Sequence, residues 1–409
     1  MAPPATSRLP RAVWLAVAAG IAMRLAFALG YWVDKPLTHD EREYLLLARN
    51  VAEGRGFVHL QPDGTPAPGE HFGRAPAYPV FLAGVIRLSG APPAGEDPRL
   101  LRAVRIAQAA LGGALVWLVA WLAGRAAGPR AALAAGWLAA FYPPLVWTPA
   151  YIWSETLFSV IALACVAVLS LGTRSRGLYL TAGALAGLAV LTRPAMLFFL
   201  PLAALWLASR REWRGLILLS LACALVMLPW TVRNVREHGR FVLVASEGGI
   251  TLWTGNHPLA VGEGDLAANP QLKHANVALR ARNPGLTPEQ LEPIYLREAL
   301  QFIRDQPAAW ARLMARKAFY AVVPVGPSYR LHSALYFSAS VVSYLAVLPF
   351  ALMGFARLAR AGRLPVPLLL LGASSFLVCL VFFPQERFRI PVVDPTLLVM
   401  AAAWRALRA

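Results

Sequence analysis

Charge is scarce in this chain. Of 409 residues, 15% are Asp, Glu, Lys or Arg and 58% are hydrophobic, a balance that excludes an ordinary soluble enzyme. Lysine is nearly missing: beyond Lys35, Lys273 and Lys317 the basic residues are all arginine, and they carry the formal net charge of +18. The three cysteines, Cys165, Cys223 and Cys379, fall inside apolar runs, so none is placed for a loop disulfide or has metal-ligand spacing. There is no Gly-rich loop of the kind that cradles a nucleotide, no internal repeat and no low-complexity linker. The first apolar run starts late, is long and lacks a small-residue cleavage site, so no cleavable signal is expected.

Apolar runs of spanning length fill the chain instead, which makes it an all-α polytopic membrane protein. About ten spans are expected, near residues 12–32, 101–124, 131–148, 156–173, 177–192, 194–209, 215–233, 333–356, 364–383 and 390–407. The run 76–90 reaches only ~22 Å as a helix, short of the ~30 Å hydrocarbon core, and reads as juxtamembrane or re-entrant. The pairs Arg125/Arg130 and Arg174/Arg176, and the groups at 210–214 and 357–363, then share one side with the N-terminus and the tail. The positive-inside rule makes that side the cytoplasm. The basic excess is therefore assigned to topology and to anionic membrane lipid, with no nucleic-acid partner. Arg24 lies near the centre of the first span, where a charge costs roughly 2.5–3.5 kcal/mol, and needs a partner or an aqueous cavity.

This topology divides the chain into a membrane module at 1–233, with a first outer loop at 33–100, a loop domain at 234–332 and terminal spans at 333–409. The loop domain is expected to be small and mixed: a short strand at 248–253 and a turn at 254–258, then amphipathic helices at 289–305 and 308–322. In the first outer loop, Thr38 and Glu41 fit a capping box opening a helix that Gly54 and Gly56 stop. Asp40 then sits in the first turn, where the helix dipole favours its charged form. Glu43 reads as part of a solvated face.

Several motifs recur in the order of a known group. They are Asp40-Glu41-x-x-Tyr44-x-x-x-Ala48, Gly54-x-Gly56-Phe57, Gly73-Arg74-Ala75-Pro76-Ala77-Tyr78-Pro79, Ser154-Glu155, Thr192-Arg193-Pro194, Pro229-Trp230-Thr231-Val232-Arg233-Asn234 and Arg387-Phe388-Arg389-Ile390-Pro391. The set resembles polyprenyl-phosphate-dependent glycosyltransferases of the GT-C fold, in particular family 39: protein O-mannosyltransferases and lipid A aminoarabinose transferase. Two departures are plain: Arg74 stands where such enzymes often carry lysine, and the chain is shorter, without a large C-terminal periplasmic domain.

The resemblance implies transfer of a sugar from a polyprenyl phosphate to an acceptor hydroxyl on a glycolipid, glycan or protein, with inversion, at the extracytoplasmic face of a bacterial inner membrane. Asp40 would be the general base, with Glu41 and Glu155 as further acidic candidates, Glu41 being already explained by its cap. Arg74, Arg193, Arg387 and Arg389 would hold the lipid phosphate, since guanidinium matches phosphate bidentately. Tyr44, His71, Arg233 and Asn256 are the substrate-contact candidates. No cofactor is required, although Asp40 with Glu155 has the chemistry for a divalent metal; Glu155 pairing with Arg24 is the structural alternative. A flippase or transporter of a lipid-linked anion, or a non-catalytic polysaccharide-assembly protein, would also use charged residues in a helical bundle.

Overall fold

A computed structural model describes residues 9–61, 63–67, 73–90, 97–172, 175–328 and 333–406. The described residues are helical throughout apart from loops and one isolated bridge, Leu60 to Pro66. The helices are α1 (Ala12–Ala26, continued by a π-helical turn Phe27–Tyr31), α2 (His39–Ala52), α3 (Ala77–Ser89), α4 (Pro98–Ala127), α5 (Pro129–Phe141) and α6 (Pro143–Trp147). Then come α7 (Glu155–Ser170), α8 (Arg176–Thr192), α9 (Phe199–Ser209) and α10 (Trp213–His238). The loop region holds α11 (Gly248–Gly255), α12 (Pro270–Ala281), α13 (Pro288–Asp305) and α14 (Pro307–Val322). The chain closes with α15 (Ala334–Arg360), α16 (Val366–Val381), α17 (Glu386–Arg389) and α18 (Val393–Ala406).

By length and composition, four described helices suffice to cross a membrane: α1 with its π turn, α4, α10 and α15. A fifth is the pair α5 and Pro143–Ala150, bent by 64° where Pro143 cannot continue the helix. Six further apolar helices of 10–17 residues, α3 among them, are shorter than a full span. The count of about ten spans includes the other five of these. The chain is a multi-pass, all-α membrane protein.

The core is built on α4, which packs against α1, α5, α7 and α18 through a layer of Ala, Val and Leu. Small residues let backbones approach. On α8, a Cβ at Gly183 would lie 2.3 Å from the Leu219 carbonyl oxygen of α10, and one at Gly187 would lie 2.8 Å from that of Cys223. Gly112 of α4 makes room for Arg24 in the same way, its would-be Cβ falling 2.3 Å from the Arg24 Cδ.

Arg24 does have partners, but they are carbonyls. Its guanidinium is fully buried and donates to the carbonyl oxygens of Gly20 (2.9 Å), Ala139 (3.1 Å) and Ala140 (3.3 Å). The alternative of a pair with Glu155 is thereby corrected. Helix α3 lies on α2, where the Tyr44 and Tyr78 rings meet edge to face at 4.9 Å beside Leu45, Ala48, Leu82 and Ile86. The helix is 13 residues long, short as the sequence predicts.

The strand expected at 248–253 is instead α11, so the described part of 234–332 is helical rather than mixed. The reason is a distant carboxylate. Glu292 of α13 accepts from the Gly249 N–H (2.6 Å) and the Ile250 N–H (3.4 Å), capping the helix start with negative charge. The two amphipathic helices form as α13, with a Thr287/Gln290 capping box, and α14.

Gly183→Val should overpack the α8–α10 seam and cost about 1–3 kcal/mol. Thermal unfolding in detergent is expected to show a lower Tm for that variant. Gly30→Ala, whose Cβ would meet nothing within 4 Å, should leave the Tm unchanged.

Candidate active site

Capping chemistry places the first carboxylate. Thr38 Oγ1 accepts from the Glu41 N–H (3.4 Å), and Glu41 Oε2 accepts from the Thr38 N–H (2.7 Å). The second Glu41 oxygen, Oε1, accepts from the Ile152 N–H at 2.8 Å, and Trp153 Nε1 donates to Thr38 Oγ1 at 3.3 Å. Glu41 therefore staples the 151–154 loop to the start of α2. Both of its oxygens serve the backbone, which separates it from the charged cluster beside it.

Asp40, one residue earlier, points into that cluster. Its Oδ2 lies 2.6 Å from Arg387 Nη1 and its Oδ1 lies 3.0 Å from Arg74 Nη2. Arg387 Nε also donates to Glu155 Oε1 at 2.5 Å, and Arg193 Nη1 meets the same oxygen at 2.7 Å. Arg74 goes on to Glu43 Oε2 (2.5 Å from Nη2) and to Glu247 Oε1 (2.7 Å from Nη1). Aromatic faces back the cations: Arg387 over Trp153 at 4.2 Å, Arg74 over Tyr44 at 5.5 Å and Arg193 over Phe388 at 5.6 Å. Residues from α2, the 73–76 loop, the start of α7, the end of α8, the 246–247 loop and α17 thus meet at one end of the bundle.

Three guanidinium groups face four carboxylates here. Burial pushes the Asp40 carboxyl up, but Arg387 and then Arg74 overcome it and hold the group well below the usual carboxylate range. Glu43 is likewise held down against its burial, by hydrogen bonding to His59 and by Arg74. Glu247 goes the other way: burial raises it, and Arg74 does not compensate against the nearby charges of Glu43 and Asp40. Arg387 stays cationic, because Glu155 and Asp40 outweigh its burial. A small cavity of about 20 Å³ sits beside Arg193 and Arg387, with Ser374 and Ser375 in its wall.

Of the candidates read from the sequence, Asp40, Arg74, Tyr44, Glu155, Arg193 and Arg387 come together. Arg389 does not join them: Nε lies 3.1 Å from the Asp394 carboxylate and Nη2 donates to Ser340 Oγ at 3.0 Å, so it anchors α17 to α18 and α15. Arg233 stacks on Trp230 (5.0 Å) and donates to the Phe57 carbonyl oxygen (3.0 Å), fixing the Gly56-Phe57 turn. Asn256 is buried as a tie between elements, accepting from Trp310 Nε1 and Lys317 Nζ (both 3.1 Å) and donating to the Val381 carbonyl oxygen (2.8 Å). His71 lies outside the described residues.

Two participants were not anticipated. Glu43 is not solvated: it is 5% exposed and bound to Arg74 and His59. Its place three residues after Asp40, on the same helix face, was the available signal. Glu247 has no local signal at all. It reaches Arg74 because Gly73 and Ser246 exchange hydrogen bonds, the Gly73 N–H donating to the Ser246 side-chain Oγ (2.7 Å) and the Ser246 N–H to the Gly73 carbonyl oxygen (3.0 Å).

The donor set does not suit a metal between Asp40 and Glu155, because the Arg387 guanidinium already bridges them. Among the described residues no group of three His, Cys, Asp or Glu side chains is placed to hold one.

Residues 75–232 match the family described as dolichyl-phosphate-mannose-protein mannosyltransferase. No curated protein matches the sequence. Among solved structures, the apo oligosaccharyltransferase of Archaeoglobus fulgidus superposes with a TM-score of 0.58 and 18% identity, covering 96% of this chain and 49% of that one. The archaeal oligosaccharyltransferase AglB from the same organism, in complex with an inhibitory peptide and a dolichol-phosphate, gives 0.57 and 16%, with the same coverage. ArnT from Cupriavidus metallidurans, bound to undecaprenyl phosphate, gives 0.45 and 15%, covering 96% and 77%, too distant a superposition to bear weight. The chain spans about half the length of the archaeal enzyme, and at these identities the likeness establishes the fold: GT-C.

Removing the bridging cation should be costly. Arg387→Gln leaves two carboxylates facing each other, at about 2–4 kcal/mol, reduced from the fully buried case because the Asp40 side chain is 24% exposed. The folded-state pKa of Asp40 is depressed, so its ion pairs contribute stability above the ordinary carboxylate range, lost only as pH falls through the depressed value. Removing Arg387 lets burial and mutual repulsion raise the two facing carboxyls, and protonation then relieves them, so melting curves from pH 8 to pH 4 should show the deficit of Arg387→Gln relative to the wild type narrowing as the pH falls.

Proposed function

We propose that the chain is a membrane glycosyltransferase that moves a sugar from a polyprenyl-phosphate donor to an acceptor hydroxyl, with inversion. The observation that carries this reading is the meeting of Asp40, Glu155, Arg74, Arg193 and Arg387 at one end of the bundle. The family match over 75–232 and the GT-C fold support it. The neighbour that binds a dolichol-phosphate and a peptide supports a lipid-phosphate donor and leaves a glycolipid, glycan or protein acceptor open.

The chemistry is a single displacement. The acceptor oxygen attacks the anomeric carbon, the bond from that carbon to the phosphate oxygen breaks, and its electron pair leaves with the lipid phosphate. The acceptor proton passes to Asp40. Guanidinium groups favour this step because phosphate charge grows as the bond breaks. Arg387 stands beside the base and Arg193 beside Glu155, and these two take the phosphate, with Arg74 holding the other oxygen of Asp40.

The resting ion pairs then have a function. An Asp40 held far below the usual carboxylate range is charged but a weak base. A donor phosphate competes for Arg387, and as that guanidinium turns toward it the Asp40 basicity rises. Donor binding and base activation are thus coupled through one side chain.

The arginine-rich loops between spans support cytoplasmic termini and an extracytoplasmic site in a bacterial inner membrane, with 234–332 as an outer module over it. An outer site calls for a lipid-carried sugar.

Asp40→Asn is expected to lose about 10²–10⁴ in turnover while still retaining the lipid donor. Mass spectrometry of envelope glycolipids and glycoproteins from a deletion strain identifies the missing sugar and its acceptor. Complementation with Asp40→Asn should then fail to restore that sugar. Full restoration would remove Asp40 as the base, and an envelope without any missing sugar would remove the transferase reading.

A further inference from the structure

At the far end of the bundle the loops enclose a cavity of about 530 Å³ that the glycosyl-transfer reading does not use. Its level follows from helix lengths. The 16-residue helix α7 starts at Glu155 in the charged cluster and ends at Ser170, which lines the cavity together with Gly172. At 1.5 Å per residue that separation is ~22 Å, and the cavity lies among the arginine-rich loops at the opposite end of the bundle, the end that faces the other leaflet. Tyr179, Trp206 and the exposed Trp213 mark the same level with interfacial aromatic rings.

The walls have two characters. Leu122, Ala126, Val168 and Leu207 make an apolar floor. Arg125, Arg210 and Arg363 supply three cations against one carboxylate, Glu212. Three of these four charges are held by the fold. Arg125 donates to the Ser170 and Leu171 carbonyl oxygens (both 3.3 Å), across the end of α7. Arg210 lies over Trp206 at 5.4 Å and donates to Glu212 Oε1 at 3.2 Å, while Tyr179 Oη donates to the other Glu212 oxygen. Arg363 is exposed on the Gly362–Pro367 loop. Glu212 is thus already matched, and the excess charge of the wall is positive.

We propose that this cavity is a binding site for an anionic phospholipid of that leaflet, its phosphodiester held by Arg125, Arg210 and Arg363 and the first carbons of its chains on the apolar floor. A free anion would leave that floor unused, and a zwitterionic lipid would bring a cation toward the guanidinium groups. The volume fits a headgroup with its glycerol rather than a whole lipid, whose tails continue along the outside of the bundle.

Native mass spectrometry of the full chain tests this, after delipidation and re-exposure to phosphatidylglycerol or phosphatidylcholine. One phosphatidylglycerol should be retained with a preference of about tenfold or more, on the scale of one or two arginine–headgroup contacts. The double variant Arg210→Gln/Arg363→Gln, with both changes at surface positions and an unchanged Tm as the check on folding, should lose most of that preference. Arg193→Gln at the other end should keep it. Equal retention of the two lipids, retention undiminished in the double variant, loss only with Arg193→Gln, or displacement of the lipid by millimolar inorganic phosphate would each overturn the assignment.

Discussion

One guanidinium holds one end of this bundle together. Arg387 lies between Asp40 and Glu155, within 2.6 Å of each, and stacks on Trp153. Two carboxylates cannot be gathered at the edge of a hydrocarbon bundle unless a cation sits between them. Everything else at that end follows from supplying it: α17 must return after α16, Arg389 must pin that short helix to Asp394, and Trp153 must be presented by a loop that Glu41 fastens down. The segments joined are far apart in sequence, so the site forms only when the whole bundle does.

The same economy explains why arginine is so favoured over lysine. A single guanidinium bridges two or three acceptors in fixed geometry, as Arg74 does with Asp40, Glu43 and Glu247. Arg24 does so with three carbonyls inside a span. An ammonium, strongly hydrated and without a planar fork, suits such places less well. Buried Lys317 also reaches three acceptors, Asn256 and the Leu380 and Val381 carbonyl oxygens, but from one tetrahedral nitrogen rather than a planar fork.

Much of this was legible in the sequence where the cause was local. The capping box at Thr38 and Glu41, the shortness of 77–89, the amphipathic helices α13 and α14 and the clustering of Asp40 with Arg74, Arg193, Glu155 and Arg387 all follow from spacing or from ordered motifs. The failures had distant causes. The Gly248-Gly249 segment has the composition of a strand and turn, and becomes helical because Glu292, more than forty residues away, neutralises its N-terminus. Glu247 enters the site through the paired hydrogen bonds between Gly73 and Ser246, one of them made by the serine hydroxyl. Arg387 and Arg389 look equivalent in sequence, yet two residues along a helix they face opposite partners, and only one reaches Asp40.

The Glu41 staple has a consequence for how the closed cluster can open. Both carboxylate oxygens are committed to backbone amides, one at the start of α2 and one at Ile152, so Asp40 and the loop bearing Trp153 are a single rigid jaw. The opposing jaw is α17, a four-residue helix fastened mainly by its own arginines. With that wall fixed, any rearrangement that frees Asp40 from Arg387 has to come from the short turn or from the arginine side chain itself.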